Sequence, residues 1–147
     1  TLAFLDDQPP PVLSALSDTL ERIEAGTFTV RLSGLTIFGG KQLGAIAVNA
    51  NGGDALNHLQ AKVARAAREA GIALERRRFR PHVTIFRLSK RTEADESTRI
   101  QQWMDIFADY EPIEFECDRT ALYRSVLRKA GASYHILAEY PLKDATS

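Results

Sequence analysis

The chain has 147 residues, 44% of them hydrophobic and 26% charged, a globular balance that excludes a disordered or low-complexity polypeptide. That length fits one compact domain or two small lobes sharing an interface, and a domain of this size buries about 70% of its unfolded surface without metal or disulfide staples. Nineteen basic residues offset nineteen acidic ones, so no overall positive field advertises a nucleic-acid partner, and any such partner must be held by a local patch.

Thr1-Leu2-Ala3-Phe4-Leu5 reads as a strand entered partway through, and without an initiator methionine the sequence is expected to be a fragment. It turns acidic at Asp6-Asp7, so it lacks the basic region and cleavage site of a signal peptide. Pro9-Pro10-Pro11 suits a helix start. Val12, Leu13, Leu16, Leu20 and Ile23 follow at helical spacing, and Gly26 ends the run. Phe28 to Phe38 and Leu43 to Ala50, separated by Gly39-Gly40-Lys41-Gln42, read as a hairpin. After the turn Asn51-Gly52-Gly53, Asp54 is the expected N-cap of a second helix. Its stripe is Leu56, Leu59, Val63, Ala66, Ala67 and Ala70, and Gly71 closes it.

Pro81 to Leu88 is expected as a strand. Thr92 to Tyr110 is expected as a helix with Ile100, Trp103, Met104 and Phe107 inward. Ile113 to Leu127, with a possible interruption, and Tyr134 to Leu142 complete the chain as strands. Short hairpins mixed with helices predict an α+β fold of antiparallel sheet covered on one face by helices. No stretch approaches the ~20 apolar residues of a bilayer span. A cytoplasmic location with no membrane partner is expected. Cys117, the only cysteine, cannot form an internal disulfide, and its alternating surroundings suggest a buried small hydrophobe over a reactive thiol.

Several kinds of chemistry find no support. There is no G-x-G-x-x-G, Gly39-Gly40-Lys41 is followed by Gln42 and so is not a Walker loop, and no serine sits in a nucleophile elbow. His58, His82 and His135 with one cysteine offer no metal-ligand spacing. The informative segment is Phe79-Arg80-Pro81-His82-Val83-Thr84-Ile85-Phe86-Arg87. In a strand, residues two apart share a face, ~6.5–7 Å from one another, so His82 and Thr84 project together while Val83 and Ile85 go to the core side. A histidine exchanges a proton near neutral pH, and a neighbouring hydroxyl donates to an oxyanion: half of a site for phosphate chemistry. Around them lie Arg76, Arg77, Arg78, Arg80, Arg87, Lys90 and Arg91, with no acidic residue between 76 and 91. That patch suits a phosphate-bearing substrate. The bland alternative is a surface histidine beside a β-favouring threonine, with the arginines a solvated face.

With His82-Val83-Thr84-Ile85 preceded by Phe79-Arg80-Pro81, the chain resembles the two-histidine phosphoesterases, and most of all the bacterial RNA 2′,3′-cyclic phosphodiesterases, also called 2′-5′ RNA ligases. Thr1-Leu-Ala-Phe-Leu resembles the tail of that family's first H-x-T-x motif, and Leu35-Thr-Ile-Phe-Gly-Gly its mid-chain strand and turn. Leu122-Tyr-Arg-Ser-Val-Leu, Gly131, Tyr134 and Pro141-Leu142 resemble its closing strands. The resemblance implies two similar lobes of antiparallel sheet, with helices on the outer faces and a central cleft into which each lobe puts one H-x-T. It makes residues 1–147 a single bilobal phosphoesterase domain, N-terminally incomplete, with the first-motif histidine two positions before Thr1.

By the same resemblance His82 is the proton acceptor that activates water, and the other histidine protonates the departing ribose 3′-oxygen, leaving a 2′-phosphate. Thr84 and Thr1 bind phosphate oxygens. Arg87 neutralises charge, although strict alternation puts it on the face opposite His82, so its role needs a bulge, a twist or the length of its side chain. No metal or cofactor is implied. The partner is RNA or a nucleotide with a 2′,3′-cyclic phosphate, the expected state is a monomer, and 2′-5′ ligation is the reverse of the same chemistry. The alternatives are a catalytically incomplete phosphate- or RNA-binding remnant, or a relative acting on another cyclic or 2′-5′ linked nucleotide. His58 on its helix's polar face and His135 on a terminal strand are expected to be solvent-exposed. Tyr123 and Tyr134 could stack on a base, but core packing is the expected use of both, and Trp103 is expected in the helix core.

Overall fold

A computed structural model of the chain describes residues 1–39, 43–87, 94–128 and 131–143. In order the elements are α1 (Pro10–Glu21), β1 (Phe28–Gly39), β2 (Leu43–Asn51), α2 (Gly53–Glu69), β3 (His82–Arg87), α3 (Ala94–Ile106), β4 (Ile113–Cys117), β5 (Arg119–Arg128) and β6 (Gly131–Pro141). One sheet has the order β3-β2-β1-β4 and a second is the pair β5-β6. The registered ladders β1/β2, β2/β3 and β5/β6 are antiparallel, so the fold is the α+β class with two antiparallel sheets. No helix among the described residues is long and apolar enough to cross a membrane.

The residues divide into two compact units. One holds Thr1, Val30–Gly52 and Arg78–Phe115; the other holds Leu2–Thr29, Gly53–Arg77 and Glu116–Ser147. The first unit is organised by the β1–β2 hairpin. Its ladder pairs Arg31 with Asn51 and Ser33 with Asn49, then shifts register before Leu35 and Val48. The extra residue is Gly34, at φ +67°, a left-handed backbone that a side chain resists. Tyr110 donates a 3.4 Å hydrogen bond to the Gly34 carbonyl.

The second unit carries a core of Leu16, Leu20, Ala66, Ala67, Ile72, Leu122 and Tyr140. Helix α1 starts behind Pro9 with two further prolines in its first turn and packs on α2 and β6, with Ser17 Oγ 2.8 Å from the Tyr140 hydroxyl. Helix α2 ends as its sequence requires. Gly71, at φ +85°, donates its N–H to the Arg68 carbonyl, and Ile72 donates to the Ala67 carbonyl, the paired bonds of a glycine-terminated helix. Ile72 is thereby delivered into the core.

Several expectations need correction. Residues 1–5 form no strand; Gln60 donates to the Leu2 carbonyl and Gln8 to that of Leu5, side-chain bonds in place of a ladder, while Leu5 packs on the core of the second unit. The second helix begins at Gly53, so Asp54 lies inside its first turn and is not the N-cap. Helix α3 is shorter than expected, with Ile100 and Met104 half-buried but Trp103 and Phe107 exposed. Their rings pack on each other, centroids 4.9 Å apart. The strand expected over 113–127 does break, at Asp118, whose carbonyl accepts the Leu142 N–H while its carboxylate accepts from Arg119. Arg119's bonds hold that carboxyl below the usual range. Cys117 is half-buried and free, and burial raises its thiol pKa.

Candidate active site

Strand β3 is the segment the sequence singled out, and its pairing with β2 decides what it presents. Asn49 pairs with His82, Val48 with Val83, Ala47 with Thr84, Ile46 with Phe86 and Ala45 with Arg87. Between Thr84 and Phe86 the register shifts, and Ile85 has no opposite number on β2. An extra residue on one strand is a bulge, and it reverses the alternation beyond it. Residues 45, 47 and 49 of β2 share one face, so their partners Arg87, Thr84 and His82 share it too. The conflict that strict alternation raised for Arg87 is resolved by one inserted residue.

On the other side of β2 the same face receives Phe38 opposite Ala45, Thr36 opposite Ala47 and Ser33 opposite Asn49. The middle of this array is small: Ala45 and Ala47 are buried, Ala47 completely. Over them the larger side chains of β1 and β3 meet. The Phe38 ring lies 4.3 Å from the His82 imidazole, centroid to centroid, tilted by 31°. The Arg80 guanidinium sits 4.7 Å from the centre of the Phe38 ring. Thr36 donates to the Asn49 side-chain oxygen at 2.8 Å, leaving the Asn49 amide nitrogen 3.4 Å from where a Cβ on Gly34 would stand.

His82 is half-buried, and its Nδ1 is 2.7 Å from the carbonyl oxygen of Arg80. A carbonyl only accepts, so Nδ1 carries the proton, and in the neutral ring Nε2 keeps its lone pair. The imidazole is thus held as a base at Nε2 by the main chain two residues upstream. Pro81 belongs to the same arrangement, since its carbonyl accepts the Ala50 N–H at 3.0 Å and pins the strand entry to β2.

Val83 and Ile85 do not enter a core, as the sequence suggested. They are 45% and 47% exposed, and Phe86 is 59% exposed. Alternation put Val83 opposite the histidine correctly, and the exposure lies in what covers that face, not in the alternation. Thr1 is exposed and outside any regular element. Arg76, Arg77, Arg78 and Arg80 are exposed as the patch reading required, with Arg77 bound to Glu75 at 2.6 Å; Lys90 and Arg91, like Gly40, Lys41, Gln42, Leu88 and Thr92, lie outside the described residues. His58 and His135 are exposed, as expected. Tyr123 and Tyr134 are not core residues: they are 54% and 63% exposed, because Tyr123 alternates against the buried Leu122 and the register shift after Leu122 turns Tyr134 to the face of Tyr123. Trp103, 40% exposed, is not helix core either.

Sequence reading missed Phe38, Thr36 and Asn49. Their signal was present in the alternation of β1 and β2, but two bulges separate that pattern from its register with β3. Among the described residues no group of three or more His, Cys, Asp or Glu side chains is placed to hold a metal ion.

Residues 1–128 match the family model of the 2′-5′ RNA ligase superfamily. The chain is 30% identical over 148 aligned positions to an RNA 2′,3′-cyclic phosphodiesterase of Geobacillus stearothermophilus, covering 99% of this chain but 45% of that protein. It is 27% identical to a protein of the same name from Aeropyrum pernix, covering all of this chain and 82% of that one. The chain therefore spans less than half the length of the first relative. Among solved structures it is similar to Escherichia coli LigT complexed with 3′-AMP, with a TM-score of 0.73 at 22% identity over 97% of this chain and 75% of that one. A structure described as a phosphoesterase gives a TM-score of 0.75 at 21% identity, over 98% and 76%. With a family model matched from its first residue into β5 and this fold shared, the chain belongs to the 2′-5′ RNA ligase superfamily.

Proposed function

We propose that this chain works in the metal-independent hydrolysis of RNA 2′,3′-cyclic phosphate ends to 2′-phosphomonoesters, with His82 as the proton acceptor. The observation that carries the reading is the Nδ1 bond to the Arg80 carbonyl, which leaves Nε2 free to take a proton. Water attacks phosphorus as His82 Nε2 removes its proton, the P–O3′ bond breaks, and the departing 3′-oxygen takes a proton from a second imidazole opposite. One ring cannot stand on both sides of phosphorus, so the second proton comes from elsewhere. The reading takes it from a histidine two positions before Thr1, completing a first motif in which Thr1 binds a phosphate oxygen. Thr84, on His82's face, donates to a non-bridging oxygen, and Arg87, brought to that face by the bulge, neutralises charge there. With a ribose 5′-hydroxyl in place of water, the same groups form a P–O5′ bond as P–O3′ breaks, leaving a 2′-5′ linkage, which is the ligation.

The relatives named RNA 2′,3′-cyclic phosphodiesterase support the substrate class. The reading also takes residues 1–147 as one bilobal domain acting as a monomer in the cytoplasm, which suits its single free thiol. The test is turnover of an oligoribonucleotide ending in a 2′,3′-cyclic phosphate by the protein that includes the residues preceding Thr1. His82→Ala is expected to lower kcat by about 10²–10⁴-fold, and the product should carry a 2′-phosphate. A wild-type protein inert on that end, or a His82→Ala variant as fast as wild type, overturns the reading.

A further inference from the structure

Row by row, the face of the four-stranded sheet that holds His82 reads Ser33–Asn49–His82, Thr36–Ala47–Thr84 and Phe38–Ala45–Arg87. Asn49 is an exposed amide in the same row as the base. The Ala50 N–H bonds to the Pro81 carbonyl, which makes Asn49 and His82 a non-hydrogen-bonded pair. Opposed side chains stand closer in such a pair, with Cα atoms ~4.5 Å apart. Both side chains also meet partners on β1: the imidazole packs on the Phe38 ring, and the amide bonds to Thr36.

Thr36 decides what the amide offers. Its hydroxyl donates to Asn49 Oδ1 at 2.8 Å, so the acceptor end is occupied and the donor end is presented. Asn49 Nδ2 makes no hydrogen bond among the described residues. Gly34, the residue inserted in β1, keeps the space beside it open. A Cβ there would stand 3.4 Å from Nδ2, and the Gly34 φ of +67° is one that a side chain resists. Tyr110 holds this bulge through the Gly34 carbonyl. From the row of Ser33 to the row of Arg87 the face bears no carboxylate. An amide donor beside an imidazole, with no negative charge around it, suits the oxygen of an anion.

We propose that Asn49 Nδ2 donates to a non-bridging oxygen of the phosphate on which His82 acts, oriented for it by Thr36, and is thus a phosphate-binding residue of the site. The inference rests on the proposed chemistry at His82 for the identity of its ligand, and all of its parts lie in one compact unit. It is tested by binding, in the protein that includes the residues preceding Thr1. The probes are adenosine 2′-monophosphate and inorganic phosphate, titrated calorimetrically.

Asn49→Ala is expected to weaken both probes about tenfold or more, as for a lost hydrogen bond to a charged group. Asn49→Asp keeps the size of the side chain and an acceptor for Thr36, but it sets a carboxylate where the donor stood, and should weaken both at least as much. A residue that only tied β1 to β2 through Thr36 would tolerate that change. Thr36→Val should lose part of the affinity, and Thr36→Ser should keep it. Wild-type affinity in Asn49→Ala or in Thr36→Val overturns the proposal. So does a loss in Asn49→Ala that Asn49→Asp does not share, which would make the amide a structural tie. A loss for the nucleotide with inorganic phosphate unchanged also overturns it and moves the contact to the nucleoside. Because no turnover is read, a protein inert on cyclic ends sinks the role of His82 while an Asn49-dependent phosphate affinity still stands. A protein active on those ends whose phosphate affinity ignores Asn49 sinks this proposal alone.

Discussion

Arg80 serves His82 twice. Its carbonyl fixes the imidazole tautomer, and its guanidinium lies against Phe38, the ring that packs on the imidazole. Backbone and side chain of one residue thus reach the same ring by two routes, and substitution separates them. Arg80→Ala keeps the carbonyl and loses only an exposed cation–π contact, worth about 0.5–1 kcal/mol, so kcat on a cyclic phosphate end should fall about fivefold or less. Phe38→Ala removes the wall itself while leaving the Nδ1 bond, and a loosened base should cost about tenfold in kcat with KM little changed. Steady-state kinetics of both variants, with the His82 ring followed by NMR, check the order. A larger loss for Arg80→Ala than for Phe38→Ala would contradict it. Nothing near His82 in the sequence points to Phe38, because the two lie 44 positions apart and touch only through the hairpin.

At the scale of elements, bulges set which side chains meet. Gly34 in β1, Ile85 in β3 and Leu137 in β6 each insert one residue and reverse the alternation that follows. The segment 81–88 could be read as a strand from its β-branched and aromatic residues, and His82 and Thr84 could be put on one face by counting. Arg87 could not, since an inserted residue leaves no mark that distinguishes Ile85 from an ordinary strand position. Between β1 and β3 the array tolerates only small residues, and Ala47, fully buried between Thr36 and Thr84, fills the gap. Ala47→Leu is expected to destabilise the fold by about 1–3 kcal/mol through overpacking, with a lower melting temperature by circular dichroism and weaker binding of inorganic phosphate. An unchanged melting temperature would show that the face is more open than the register implies.

For the molecule as a whole, the two units are unequally built. The second has a continuous core of side chains from α1, α2, β5 and β6 around Leu16, which is 1% exposed. In the first, burial centres on Val30 and Ala45 to Ala47, while Val83, Ile85, Phe86, Ile106 and Phe107 are exposed. Local stability follows buried apolar contact, so amide hydrogen exchange should be slowest in α1, α2 and the core-side half of β5–β6, and faster in β3 and α3. Leu16→Ala should cost about 2–5 kcal/mol and speed exchange first across the second unit. Faster exchange in α1 than in α3 would reverse this ranking.

What the sequence settled by itself were the features carried by local chemistry. Proline at the head of α1, glycine at the foot of α2, the alternating strands and the H-x-T segment each specify their structure through a few neighbouring residues, and the order of such segments is enough to reveal the family. What only the tertiary structure decided was which distant residues stand beside His82, and which face Arg87, Tyr123 and Tyr134 occupy. Those depend on strand register, which one inserted residue can reverse, and register is fixed by pairing between segments far apart in the chain. The period of two survives in the sequence; its phase from one strand to the next does not.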